Sequence, residues 1–145
     1  MTPLHETGLQ RVSEENFRNY LLNHKGLDLV KLPRKYVVDF VAYDDESLHS
    51  LWEFKHRSFC WGDFETVIFP LYKMICVRQY KILMPGVPVH FAVQDSNGVI
   101  MVADLPSEID HRCVREGGRD QSAVREDPSD SEPVYHIALR DFYEI

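Results

Sequence analysis

Residues 52–57 read Trp52-Glu53-Phe54-Lys55-His56-Arg57. In an extended strand, successive side chains point to opposite faces of the sheet. Glu53, Lys55 and Arg57 therefore share one face, and Trp52, Phe54 and His56 share the other. The two aromatics mark their face as the core side. An acid and two bases backed by aromatics describe a polar site carried on a buried strand, which sets the reading of everything around it.

The preceding apolar run is Tyr36-Val37-Val38-Asp39-Phe40-Val41-Ala42-Tyr43, rich in the β-branched and aromatic residues that strands favour. Asp44-Asp45-Glu46-Ser47 is a polar turn, so the two runs predict a hairpin, with a second strand from about Leu51 to Arg57. Asp39 lies inside its run between Val38 and Phe40. A charge there is costly unless it is paired or binds a cation. The hairpin can bring it beside Glu53.

Upstream, the pattern predicts a helix over about 14–25. Ser13 is placed as its N-cap, with Glu14 and Glu15 suiting the positive helix end. Val12 and Phe17 have staple spacing, and Gly26 is a natural stop. Downstream, residues 66–83 look helical, with Pro70 interrupting or starting the main part. Val89–Gln94 and Val99–Ala103 flank Asp95-Ser96-Asn97-Gly98 as a second hairpin with Asn-Gly turn chemistry. Residues 106–133 are charged and poor in large apolar groups, which predicts a weakly ordered loop. Arg115, Arg119 and Arg125 are the cations there that phosphate could meet. A strand over 134–139 and a short aromatic tail complete the chain.

With 145 residues, 44% hydrophobic and 27% charged, the chain suits one globular domain spanning 1–145. No apolar stretch is long enough to cross a bilayer. The start, Met1-Thr2-Pro3-Leu4-His5-Glu6, lacks the form of a signal peptide. Cys60, Cys76 and Cys113 form no CxxC pair and fit reduced thiols in a cytoplasm, the expected location. Net charge is −7, awkward for a partner of nucleic acid. The charge is uneven, however: residues 11–35 hold six Lys/Arg against three acids, and 115–132 hold three against six.

The face that carries Glu53 suits phosphodiester hydrolysis. Mg²⁺, or Mn²⁺ in its place, takes oxygen ligands, and one or two carboxylates plus waters and a substrate phosphate suffice. Asp39 and Glu53 would supply the carboxylates. Lys55 would orient or deprotonate the attacking water, or stabilise the transition state. Arg57 could hold a phosphate oxygen. The bland alternative is an exposed Glu–Lys–Arg strand face with Asp39 at a strand end.

Asp39, thirteen intervening residues, and then Glu53-Phe54-Lys55 resemble the PD-(D/E)XK nuclease superfamily. Glu53-Phe54-Lys55-His56-Arg57, Tyr72-Lys73, Gly117-Gly118-Arg119 and Glu132-Pro133-Val134-Tyr135-His136-Ile137 look more narrowly like small phage-encoded members. The likeness touches residues 36–105 and 115–145. It implies an α/β, restriction-endonuclease-like core, with a central mixed sheet, a motif-bearing hairpin and flanking helices. It also implies a Mg²⁺-dependent endo- or exodeoxyribonuclease acting on phage DNA, in the host cytoplasm, with DNA as partner and a homodimer as an allowed assembly. Asp39, Glu53 and Lys55 would be catalytic, with Asp39 and Glu53 on the metal. Arg57, Lys73 and Arg119 would contact nucleic acid.

Many members add a first-helix acid, for which Glu14 is the candidate here. Its plainer role is a first-turn acid matching the helix dipole. Val38 stands where the motif name has proline, and no clean Q-x-x-x-Y follows the motif; Lys73 and Gln79 are approximate stand-ins. The competing function is a non-catalytic DNA-binding or protein-interaction module on the same fold, which the acidic balance favours. A hydrolase of small phosphorylated substrates is a third option. The scattered histidines have no metal-ligand spacing, and Asp44-Asp45-Glu46 reads as a solvated turn.

Overall fold

Apolar residues on both sides of one strand demand a layer on each side of the sheet. The computed structural model, which describes residues 8–33, 36–116 and 133–145, has that arrangement. Helix α1 (Gly8–Lys25) leads into strand β1 (Asp28–Lys31), then β2 (Phe40–Asp44) and β3 (Ser47–His56). Strand β4 (Thr66–Pro70), helix α2 (Leu71–Leu83), and the pair β5 (Val89–Gln94) and β6 (Ile100–Asp104) follow. The rest comprises β7 (Val114–Arg115), β8 (Val134–Ala138) and β9 (Phe142–Glu144).

The main sheet has the order β1-β2-β3-β5-β6-β9, and a smaller one runs β4-β8-β7. Only the β3–β5 pairing in the main sheet is parallel. A parallel partner requires a crossover, and β4 with α2 forms it. The fold is therefore the mixed, restriction-endonuclease-like α/β core expected from the sequence.

Alternation along β3 divides the core. Trp52 and Phe54 face α1, where Phe17 stacks on Phe54 at 4.6 Å and meets Trp52 edge-on at 5.6 Å. Leu51 belongs to the opposite layer with Val67, Phe69, Met74, Val77 and Phe91. Glu53, two residues further on, falls on that same α2 side. A central strand buried on both faces reads as a near-continuous apolar run, and Glu53 is the polar interruption.

Several expectations need correction. The first helix begins at Gly8, so Ser13 is not its cap, Glu14 is not in its first turn, and the staple does not exist; Val12 is 56% exposed. Ser13 is instead buried, with Oγ 2.7 Å from His56 Nδ1. Residues 66–70 are strand rather than helix, because Thr66, Val67, Ile68 and Phe69 are a β-favouring run that pairs with β8. Pro70 sits just ahead of α2, where its missing N–H costs no helical bond.

The strand expected over 36–43 begins only at Phe40, which leaves Asp39 one residue ahead of it, and β1 was not foreseen. Of the expected loop over 106–133, residues 117–132 lie outside the described residues, and the described part is not all loop: a 3-10 turn at His111–Cys113 leads into β7, which pairs with β8. Arg115 lies in β7, whereas Arg119 and Arg125 fall outside the described residues. The aromatic tail is strand β9, and its Phe142 is buried.

Candidate active site

Strand register brings the two carboxylates together. Phe40 pairs with Trp52, so one further step sets Asp39 opposite Glu53, and the Asp39 amide donates to the Trp52 carbonyl at 3.0 Å. Asp39 Oδ2 in turn accepts from the Phe54 amide at 2.9 Å, which fixes its carboxylate against β3 beside Glu53. Lys55 is on the same face, one alternation along.

Glu53 is fully buried, at 0% exposure. Its Oε1 accepts from Lys73 Nζ at 2.7 Å and lies 3.5 Å from Lys55 Nζ. Its Oε2 is buried with no hydrogen-bond partner. Burial holds the Glu53 carboxyl above the ordinary carboxylate value and Asp39 pushes it further, against the opposing pull of Lys73 and Lys55. Burial lowers Lys73, but Glu53, Asp39 and Tyr72 together outweigh it, so the ammonium ends above its usual value. Lys73 and Glu53 thus compensate each other inside a low-dielectric layer.

A second ion pair adjoins the first. Lys31 Nζ lies 2.8 Å from Glu14 Oε1 and 3.6 Å from Asp39 Oδ1, so one ammonium stands between the two acids. It also sits 5.0 Å above the Phe40 ring. The site is therefore three carboxylates, Glu14, Asp39 and Glu53, interleaved with three lysines, Lys31, Lys55 and Lys73. Lys31 escaped the sequence reading because β1 is only four residues long and carries no alternation to recognise. Lys73, expected to contact nucleic acid, reaches Glu53 directly. The signal available was its place near the start of the helix after the motif.

Among the described residues, no three acid, histidine or cysteine side chains converge as a ready metal cage. The chemistry still fits Mg²⁺. A buried carboxylate oxygen without a donor is an open ligand position, and a second carboxylate is next to it. Mg²⁺ keeps several waters and takes one or two carboxylates with substrate phosphate. Asp39 and Glu53 would hold it, whereas Glu14 would first have to part from Lys31. Arg57 is half-buried at the end of β3 and lines the cleft that Lys55 and Lys73 border. Arg119 is outside the described residues.

No curated protein matches the chain. A solved structure is similar in fold: the Holliday junction resolvase Hjc of the archaeal hyperthermophile Archaeoglobus fulgidus. The likeness covers 93% of this chain and 90% of that one, with a TM-score of 0.59 and 11% identity. The model of a family described as "Phage putative PDDEXK endonuclease" matches residues 1–145.

Proposed function

The chain belongs to this phage PDDEXK endonuclease family, and on that footing we propose that it is a metal-dependent nuclease hydrolysing DNA phosphodiester bonds in phage DNA processing. The observation that carries the proposal is Glu53: a fully buried carboxylate with one oxygen unpartnered, next to Asp39 and between two lysines.

Asp39 and Glu53 hold the ion in this proposal. When bound, Mg²⁺ acidifies a water and neutralises charge growing on the phosphate. Lys55, 35% exposed and opening on the cleft, either orients the attacking water and favours the transition state as the ammonium, or takes the water's proton as the neutral amine. Lys73, on the other flank of Glu53, favours the ionised form of that carboxyl against the opposing effect of burial. Arg57 grips a neighbouring phosphate oxygen. A homodimer belongs to the same proposal. The exposed apolar residues Ile75, Ile82 and Leu83 on α2 support it, and light scattering tests it.

The net charge of −7 favours a second reading, a non-catalytic DNA-binding or protein-interaction module on the same fold. One experiment separates the two: incubation with linear, nicked, branched and single-stranded DNA, with Mg²⁺ or Mn²⁺ and with chelator. Metal-dependent cleavage of at least one form is expected. No cleavage of any form, with metal bound, transfers the conclusion to the binding module.

A further inference from the structure

Beside the site, the molecule has a cleft of about 760 Å³ that a nuclease acting only on the outer backbone of a duplex would not need. Its volume falls within the range of pockets that enclose a small organic ligand, roughly 300–1,000 Å³. Lys55 of β3, Arg57 just after it and Lys73 of α2 supply its cations, while Phe59, Phe64 and Tyr72 supply rings. Phe64 is 61% exposed and Tyr72 is 51% exposed. Phe59 stands edge-on to Phe64 at 6.0 Å.

Exposed rings in a concavity that also bears cations need a ligand with a flat apolar face and a negative charge. A paired base offers its face only to its neighbours in the stack, so a double helix meets a protein with phosphates and groove edges. An unpaired nucleotide offers the face and the phosphate together. The charges along the cleft also give the ligand a direction. The lysines and arginine come from the end of β3 and from α2, whereas Asp63 and Glu65, which also line the cleft, flank Phe64 in the loop. Phosphate is drawn to the first wall and repelled from the second, leaving the base for the Phe64 side. Thr66 Oγ1 and His136 Nδ1, 2.6 Å apart in the same lining, give the wall polar groups that a base edge can meet.

We infer that this cleft receives an unpaired nucleotide, its base stacked on Phe64 and its phosphate directed toward Lys55, Arg57 and Lys73, with Tyr72 beside Lys73 offering a second ring for the strand. The substrate class is then DNA with a single-stranded portion next to the scissile bond: a gap, a flap, a branch point or a free strand. The inference rests on the nuclease proposal for the meaning of the phosphate end. The stacking end stands on the cleft itself.

The test measures binding in chelator, so that nothing is cut. Labelled oligonucleotides of equal length are titrated at one salt concentration: a blunt duplex, a single strand, and a duplex with a three-nucleotide gap carrying 2-aminopurine. The single strand and the gapped duplex are expected to bind about tenfold more tightly than the blunt duplex, with 2-aminopurine fluorescence quenched by stacking. Phe64→Ala and Tyr72→Ala are each expected to lose about fivefold or more on the unpaired probes and little on the duplex. Phe64→Trp is expected to retain binding and quenching.

Equal affinity for all three probes overturns the inference, as does a Phe64→Ala protein, folded by circular dichroism, that binds and quenches like the unmutated one. Cleavage with Mg²⁺ is scored separately. A protein that cuts blunt duplex as fast as gapped DNA keeps the nuclease proposal and loses the cleft. One that binds through Phe64 and cuts nothing keeps the cleft and loses the nuclease proposal.

Discussion

Lys73 Nζ donates a 2.7 Å hydrogen bond to Glu53 Oε1 and so ties helix α2 to the central strand through a buried ion pair. Removing one partner of such a pair leaves the other charge uncompensated, a loss of about 3–5 kcal/mol in the general case. Lys55, 3.5 Å from the same oxygen, remains to soften it. Lys73→Met is therefore expected to destabilise by about 2–3 kcal/mol, and Glu53→Gln by a similar amount, since the amide oxygen still accepts from Lys73 but no longer neutralises it. In urea unfolding the double variant should be more stable than the sum of the single effects. Strict additivity would mean that the two groups do not interact.

Lys55→Ala should lower cleavage by about 10²–10⁴-fold, the usual worth of a positioned proton-transfer group. Fold and metal binding should survive, because an ammonium is not a ligand. Asp39→Ala and Glu53→Ala should lose cleavage and metal binding together. Calorimetry with Mn²⁺ beside a cleavage assay on the three proteins checks this. Full activity in Lys55→Ala would remove lysine from the chemistry.

Lys31 stands between Glu14 and Asp39 and competes with any cation for them. Lys31→Met should tighten Mn²⁺ binding by about two- to tenfold, given the modest Coulomb energy of a pair near the surface. Unchanged or weaker binding, read in the same calorimeter, would show that the lysine does not oppose the ion.

Burial lowers the imidazole pKa of His90, with Asp104 pulling the other way, and burial followed by Arg115 lowers that of His136. A folded-state value below the unfolded one, near 6.5, means that the unfolded chain takes up the proton first. Each histidine's contribution is complete above that pH and is lost as pH falls below it toward the folded value. Urea midpoints should therefore fall between pH 7 and 5, and His90→Gln should flatten the curve. A steeper curve in the variant would reverse the assigned sign.

Phe17 is fully buried against Phe54 and Trp52. Phe17→Ala should cost about 3–5 kcal/mol in urea unfolding, with Mn²⁺ affinity in the folded fraction little changed because β3 presents Glu53 on its other side. A loss under 1 kcal/mol would mean that the layer collapses around the gap.

The site strand and its hairpin were legible because alternation is a strict period, and Trp52-Glu53-Phe54-Lys55 obeys it on both faces. The Asn97-Gly98 turn was legible for its chemistry: Gly98 takes a φ of 86°, and the Asp95 carboxylate accepts from the Asn97 and Val99 amides. Thr66–Pro70 was not, since the four residues Thr66, Val67, Ile68 and Phe69 before a proline carry no period long enough to separate strand from helix. Ser13 misled because a cap and a buried hydroxyl look alike until the partner is known, and His56 is 43 residues away. Lys31 joined the site through tertiary packing that no local pattern encodes, whereas Lys73 was marked by its place in the helix after the motif but not as the partner of Glu53.

Strand β3 keeps its anchoring rings and its charged groups on alternate positions of one ladder. A shift of one residue would turn Trp52 and Phe54 toward the cleft and drive Lys55 under α1. Such a chain would lose stability and chemistry in the same event, so an inactive yet well-folded misregister has no place to accumulate. For evolution of the protein, single-residue insertions and deletions inside β3 are closed routes, while the exposed turn at Asp45 and Glu46 is where length can vary.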